Sequence, residues 1–300
     1  MRPRARWVAR ADNHGDGWQL GPPEPWDPLR HMRVLLDPGD ASVVAGFDVP
    51  IGVPLDWARA VGVRSFRQVL ERMADGGWPM FDQPASSSGD IAPERPFYPR
   101  APGGTNRMQL VQALGLADPA QLLRRCDHAV PGAMPAAAPL FWLVGAQQVG
   151  RAALTAWREV LEPATARPHV RLWPMDGPLL QLAQPGATVI AEAYPRAAYT
   201  WPLGFPRSGW SKRRQADRAA RGLEAIAWAA ACPAGIRMAP ALRAALRDGF
   251  GPEPSGEDPF DAVMGALQVI AALEGLVPDA PADLRGQRLA VEGWMLGRPA

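Results

Sequence analysis

The sequence predicts a mixed α/β fold, a sheet flanked by helices, formed as a single domain over residues 1–300. Short apolar runs such as "VVAGF" and "ATVIAEAYP" are bounded by turn residues, which is typical of buried strands. Longer segments with helical periodicity lie between and after these runs. Apolar residues make up 47% and charged residues 21% of the chain, so a packed core is expected.

The N-terminal third begins with strand and turn signals. Residues 6–20 predict two strands joined by the turn sequence "DNHGDG". A short helix is expected to begin at Asp27, with Pro28 in the favoured first-turn position. The next strand covers the run from Val43 and ends near Asp48, because Pro50 cannot donate a ladder hydrogen bond.

Residues 55–140 differ in composition from the rest of the chain. Loop sequences such as "DGGWP", "ASSSGD" and "PGAMPAAAP" dominate, with short helical patches over 65–74 and 107–114. The segment is too long for a plain connection. We expect it to be an insertion that packs beside the core and covers a site.

The second half returns to regular elements. We predict a helix of about 14 residues ended by Pro163 and then strands within "PHVRLWPMDG" and "ATVIAEAYP". Three further helices are expected over 212–231, 239–247 and 259–274. Trp294, within "VEGWMLG", is expected to pack against the core, with Glu292 beside it as a minor site candidate.

Bulk charge and cysteine content exclude several classes of protein. The chain has 32 basic and 30 acidic residues, a balance that excludes a strongly basic, histone-like nucleic-acid binder. Two cysteines, Cys126 and Cys232, and no signal-like N-terminus predict a cytoplasmic protein without disulfides. No apolar run is long enough to span a membrane, and the histidines and cysteines lack zinc-ligand spacing. Protein partners stay open.

The most informative pattern is a set of acids at element ends. Asp48 and Glu192 each end an apolar strand, and Asp258 and Asp261 stand one helical turn apart in "EDPFDAV". Oxygen ligands of this kind suit Mg²⁺ or Mn²⁺, and we expect these four acids to hold such an ion. Two alternatives remain: Asp258 caps the helix, and Glu192 forms a salt bridge with Arg196.

Basic and aromatic residues supply candidate substrate contacts. Arg100 and Arg107 flank the Gly-Gly pair of "FYPRAPGGTNR", and Lys212 opens a basic helix, so all three are candidates for binding phosphate. Trp201 and Trp210, near Lys212, are candidates for stacking on bases. An ordinary loop and a solvated helix face explain the same basic residues without a ligand.

Several motifs resemble, in order, one bacterial family. "VVAGFDVPIGVP", "FYPRAPGGTNR", "FWLVGAQQVGRAAL", "AEAYPRA", "EDPFDAVMGAL" and "VEGWMLG" are similar to landmarks of domain-of-unknown-function family 429, described as predicted RNase H-like nucleases. The resemblance implies a ribonuclease-H-like sheet flanked by helices. It also implies an acidic site of Asp48, Glu192 and Asp261, with Asp258 as a possible fourth member.

The chain departs from this family at its N-terminus. Members similar to it begin with a strand carrying a "VDWS"-like motif whose acid is a metal ligand, and the present sequence starts after that motif. Either that strand lies upstream or it has been lost; Asp12 is a weaker substitute. The leading expectation is a metal-dependent nuclease, a hydrolase. The alternatives are a non-catalytic binding protein with a degraded metal site and a phosphoryl-transfer enzyme on the same fold.

Overall fold

A computed structural model describes residues 6–99, 106–131, 134–144, 149–252 and 254–299. It contains 43% helix and 11% strand, in mixed sheets flanked by helices. The predicted mixed α/β class is therefore confirmed at this level. No helix in these ranges combines the length and apolar character needed to cross a membrane.

The regular elements follow the predicted order closely. The strands are β1 (Trp7–Val8), β2 (Ala11–Asn13), β3 (Trp18–Leu20), β4 (Glu24–Pro25), β5 (Val43–Phe47), β6 (Val170–Leu172), β7 (Thr188–Glu192) and β8 (Ile236–Met238). The helices of the first half are α1 (Pro28–Leu36), α2 (Leu55–Ala60), α3 (Phe66–Ala74) and α4 (Arg107–Ala113). Those of the second half are α5 (Val149–Ala156), α6 (Glu162–Thr165), α7 (Leu179–Leu182), α8 (Pro195–Thr200), α9 (Gln215–Ala231), α10 (Pro240–Asp248), α11 (Glu257–Leu273) and α12 (Gly286–Glu292).

The described residues form three small sheets, of which β1 and β4 make a two-stranded one and the other two have three strands each. One is all parallel, in the order β5-β7-β6, and the other is mixed, in the order β2-β3-β8. In the parallel sheet, Val43 pairs with Thr188 and Phe47 with Glu192, so β5 and β7 end side by side. β7 is the central strand and is fully buried, whereas β5 is an edge strand.

Different elements pack on the two faces of the parallel sheet. Val43, Ala45 and Phe47 of β5 pack on the largest apolar cluster, which contains α2 and α3. Val44 faces the opposite way, and a Cβ atom added at Gly46 would lie 2.7 Å from Val269 of α11. This strand alternation places α11 on one face of β5 and the segment after β5 on the other.

The segment 55–140 forms much of the core. The predicted helical patches are confirmed as α3 and α4, and α2 is an additional helix. Trp57 and Phe81 are fully buried, and their rings lie 5.7 Å apart, with Trp57 also 5.2 Å from Phe141. The segment is therefore part of the core, whereas its role in covering a site stays a prediction.

Three local predictions differ from the structure. Trp7–Val8 does not belong to the hairpin of β2 and β3 but pairs with Glu24–Pro25, after the turn. The helix expected to end at Pro163 continues through a π-helical stretch to Thr165, because proline is tolerated in the first turn of α6. Asp258 does not cap α11, since the helix begins one residue earlier and Gly256 occupies the cap position.

Candidate functional site at the carboxyl end of the parallel sheet

The strand register decides which acids share a face. Phe47 pairs with Glu192, so the side chains of these two residues lie on the same face of the sheet. Asp48 follows Phe47 and projects toward the other face, the side of Gly46 and α11. Asp48 and Glu192 therefore end adjacent strands, but their side chains diverge.

Asp48 is a carboxylate without a hydrogen-bond partner among the described residues. Loss of hydration and the nearby charge of Asp261 raise the pKa of Asp48 to about 7, and Glu192 and Asp258 add to the rise. Solvent reaches the Asp48 side chain, which weakens the first cause. The charges of the neighbouring carboxylates are therefore the main cause of the raised pKa, and the charge of Lys212 opposes them in part.

Asp261 and Asp258 approach from the first turns of α11. The Tyr199 hydroxyl donates a hydrogen bond to one Asp261 carboxylate oxygen, and the Lys212 ammonium forms an ion pair with the other. Burial and the charge of Asp261 raise the pKa of Asp258, which makes no hydrogen bond or ion pair with the described residues. Of the four predicted acids, Asp48, Asp258 and Asp261 are the ones that influence one another on the α11 side.

Glu192 lies on the other side in a buried ion pair. Arg124 donates to both of its carboxylate oxygens, at 2.6 and 2.8 Å, and the Ile51 N–H donates at 2.7 Å. Burial raises the pKa of Glu192, but the bidentate contact with Arg124 indicates that the carboxylate is ionised at neutral pH. The alternative partner Arg196 is therefore replaced by Arg124, and the expected grouping of Glu192 with Asp48 and Asp261 is not formed.

The ion pair belongs to a larger network that holds the loop after Asp48. Arg124 also contacts Asp127 at 2.9 Å, and both side chains are almost completely buried. Glu292 accepts hydrogen bonds from the backbone N–H groups of Leu55, at 3.2 Å, and Arg125, at 2.9 Å. Glu192 and Glu292 thus fix the loop from residue 49 to 55 at both ends.

Sequence reasoning missed Arg124 and Asp127, which lie in a segment interpreted as loops. It also missed Arg218 of α9. Arg218 is fully buried and donates to the backbone oxygens of Lys212, Gly249 and Gly251 at 2.6–2.7 Å. Of these buried charged residues, the sequence indicated only Glu292, as a minor site candidate near Trp294.

The predicted substrate contacts lie in different places. Arg107 stacks over the Trp142 ring at 5.5 Å and lines a cavity of about 160 Å³ between α4 and the 119–139 region. None of its described contacts reaches the site acids. Arg100 lies outside the described residues. Trp210 packs edge-on against Tyr199, with centroids 5.1 Å apart, so it supports the site from within.

The predicted site acids supply carboxylate oxygens, the type of ligand that a divalent cation such as Mg²⁺ prefers. Among the described residues, no group of three or more His, Cys, Asp or Glu side chains is arranged to hold a metal ion. A pair of carboxylates is nevertheless sufficient protein ligation for Mg²⁺, which keeps water and substrate oxygens as its other ligands. Asp48 and Asp261 are the predicted acids whose charges act on each other on the α11 side, whereas Glu192 is bound by Arg124.

Comparison of the chain with protein-family models, curated proteins and solved structures gave no match.

Proposed function

We propose that the protein is a divalent-cation-dependent hydrolase of phosphodiester bonds in nucleic acid, built on an RNase H-like fold. Asp48 and Asp261 would hold Mg²⁺ or Mn²⁺, with Asp258 beside them. The parallel strands β5 and β7 with acids at their carboxyl ends, and the motifs that resemble the nuclease family, support this fold.

One observation carries the proposal. Asp48 ends a strand of the parallel sheet, has no hydrogen-bond partner among the described residues and interacts with Asp261 and Asp258. The carboxyl end of a parallel sheet is where such folds bind ligands. A carboxylate crowded by other carboxylates favours a bound cation, and Lys212, the base that acts on Asp48, is already paired with Asp261.

The chain's own residues orient the acids. Tyr199 and Lys212 each bind one oxygen of Asp261 and so fix its carboxylate plane. Arg124 holds Glu192, and Glu192 holds the Ile51 N–H in the loop that follows Asp48. When bound, a divalent ion supplies an activated water and stabilises the leaving oxygen.

A second candidate, a non-catalytic nucleic-acid-binding protein with a degraded metal site, is favoured by two ion pairs. Lys212 already neutralises Asp261, and Arg124 already neutralises Glu192. In that case Lys212 is the permanent counter-ion of the acids, and the chain binds nucleic acid without cleaving it.

Calorimetric titration with Mn²⁺ separates the two candidates. The wild type is expected to bind the ion. Asp48→Asn and Asp261→Asn are each expected to weaken binding by more than about 100-fold. Losing a residue that only supports a metal ligand costs at most about that factor, and losing a direct ligand should cost more. Asp40→Asn is the matched control, because Asp40 is an exposed acid just before β5, at the opposite end of the same strand.

Hydrolysis of labelled single-stranded, duplex and hybrid substrates is measured on the same four proteins. Ion-dependent cleavage that is lost in the two site variants and kept in Asp40→Asn supports the hydrolase. A wild type that binds no Mn²⁺ and cleaves nothing, yet binds nucleic acid, would establish the second candidate instead.

A further inference from the structure

An exposed indole lies beside the acidic site. Trp201 follows α8 directly, and 51% of its surface is exposed. Two residues earlier, the Tyr199 hydroxyl contacts Asp261. Because consecutive Cα atoms are about 3.8 Å apart, the backbone of Trp201 is within about 8 Å of that of Tyr199. The indole of Trp201 is therefore accessible to a ligand.

Two exposed guanidinium groups lie on the loop that leads to α9. Arg207 is exposed and forms no ion pair with the described residues. Arg213 is 78% exposed at its side chain, and its one described ionic contact is a long one, 4.0 Å to Glu257. Its neighbour Lys212, by contrast, is paired with Asp261, and Arg214 is paired with Asp217 at 2.6 Å.

We propose that Trp201, Arg207 and Arg213 form a binding surface for single-stranded nucleic acid that leads the strand across Asp261. This inference rests on the proposed function and names the substrate class of the same site. Trp201 and Arg207 lie on the loop after α8, in which the Phe205 and Trp210 rings contact the Tyr199 ring at 5.8 and 5.1 Å. Arg213 follows Lys212, and because Tyr199 and Lys212 both bind Asp261, the surface lies next to this acid.

The chemistry favours a single strand over a duplex. The guanidinium groups attract backbone phosphates of either form. The face of an indole stacks only on a base that has left its helical stack, and single strands present such bases. Stacking accepts any base, so little sequence preference is expected.

Fluorescence anisotropy in EDTA tests the surface without any need for hydrolysis. The probes are a labelled single-stranded DNA, an RNA of the same sequence and the corresponding DNA duplex. Trp201→Ala is expected to weaken single-strand binding by about 5- to 100-fold. Arg207→Ala and Arg213→Ala are each expected to lower the slope of log affinity against log salt by about 0.7.

Matched controls come from exposed residues elsewhere. Leu180, 56% exposed on α7, serves for Trp201, because α7 is anchored to Asp279 beyond the far end of α11. Arg33, exposed on α1, serves for the arginines, because the Leu35 oxygen contacts Thr188 at the amino end of β7. Circular dichroism confirms that each variant is folded, and Trp201→Phe is expected to retain most of the affinity.

The outcomes separate this inference from the proposed function. Equal affinities of Trp201→Ala and Leu180→Ala, tighter binding of the duplex, or no binding of any probe would overturn the single-strand surface even if Mn²⁺-dependent cleavage is found. Loss of single-strand binding in Trp201→Ala, with no Mn²⁺ binding or cleavage, would support the surface and overturn the hydrolase.

Discussion

Replacing Arg124 by methionine tests the buried ionic network that Arg124 forms with Asp127 and Glu192. Arg124 is completely buried, and the side chains of its partners Asp127 and Glu192 are each 4% exposed. Methionine keeps much of the volume but leaves two buried carboxylates without a counter-charge. Breaking a buried ion pair from one side costs about 3–5 kcal/mol, so we expect a loss in this range in the free energy of unfolding.

The loss is measured by urea denaturation at neutral pH. A triple variant, Arg124→Met with Asp127→Asn and Glu192→Gln, carries no buried charge at these positions. It is expected to recover a large part of the stability, because neutral replacement of a whole buried ionic group is often tolerated. The comparison isolates unpaired charge from altered packing, which both variants share.

The pH dependence of the single variant has a definite sign. Burial raises the folded-state pKa of Glu192, and removing Arg124 removes the charge that opposes this rise. The stability that Glu192 contributes to the variant is then highest below the ordinary carboxyl pKa and falls as the pH rises from that value toward the raised one. A loss of less than about 1 kcal/mol at neutral pH, or a triple variant no more stable than the single one, would refute the assigned role of the ion pair.

Three further outcomes are expected. The folded-state pKa of Asp48, about 7, lies above its ordinary value of 3.8. Asp48 therefore lowers the free energy of unfolding as the pH rises between these two values. Thermal unfolding of Asp48→Asn should therefore show a gain over the wild type that grows from pH 4 to pH 7; a gain independent of pH contradicts the raised pKa. Lys212→Met should tighten Mn²⁺ binding by at least about threefold in a calorimetric titration, because an ammonium repels the ion; weaker binding would show that Lys212 supports the acids. Gly46→Val should lower the urea midpoint, at a cost of about 1–3 kcal/mol, because its side chain would overlap Val269; an unchanged midpoint would show that α11 yields easily.

Local signals predicted many elements correctly. Asp27 and Pro28 mark the start of α1, and the Asp27 side chain accepts from the Arg30 N–H at 3.1 Å, as a helix cap should. The helix predicted over 259–274 is present as α11, and it buries Val263, Leu267 and Ile270, which recur in the sequence at helical spacing. These features depend on residues within one or two turns of each other, so the sequence carries them directly.

The carboxyl ends of the parallel strands could also be predicted from the sequence. The face of the sheet on which each acid at these ends lies could not. An uninterrupted apolar strand such as "TVIAE" is buried on both sides and gives no alternation from which to read direction. The pairing of Phe47 with Glu192 depends on contacts between residues more than 140 positions apart in the chain. It places the Glu192 side chain on the face of the sheet away from Asp48. Arg124, from a loop-rich segment, then occupies the position beside Glu192 that the sequence assigned to an ion.

The amino-acid sequence by itself determined the α/β class, most element positions and the acids at the strand and helix ends, because these follow from periodicity, caps and turn residues. Only the tertiary structure decided that Asp48, Asp258 and Asp261 influence one another while Glu192 pairs with Arg124. The physical reason is that a carboxylate acquires its partner through strand register and long-range packing. Neither is encoded by the residues adjacent to that carboxylate.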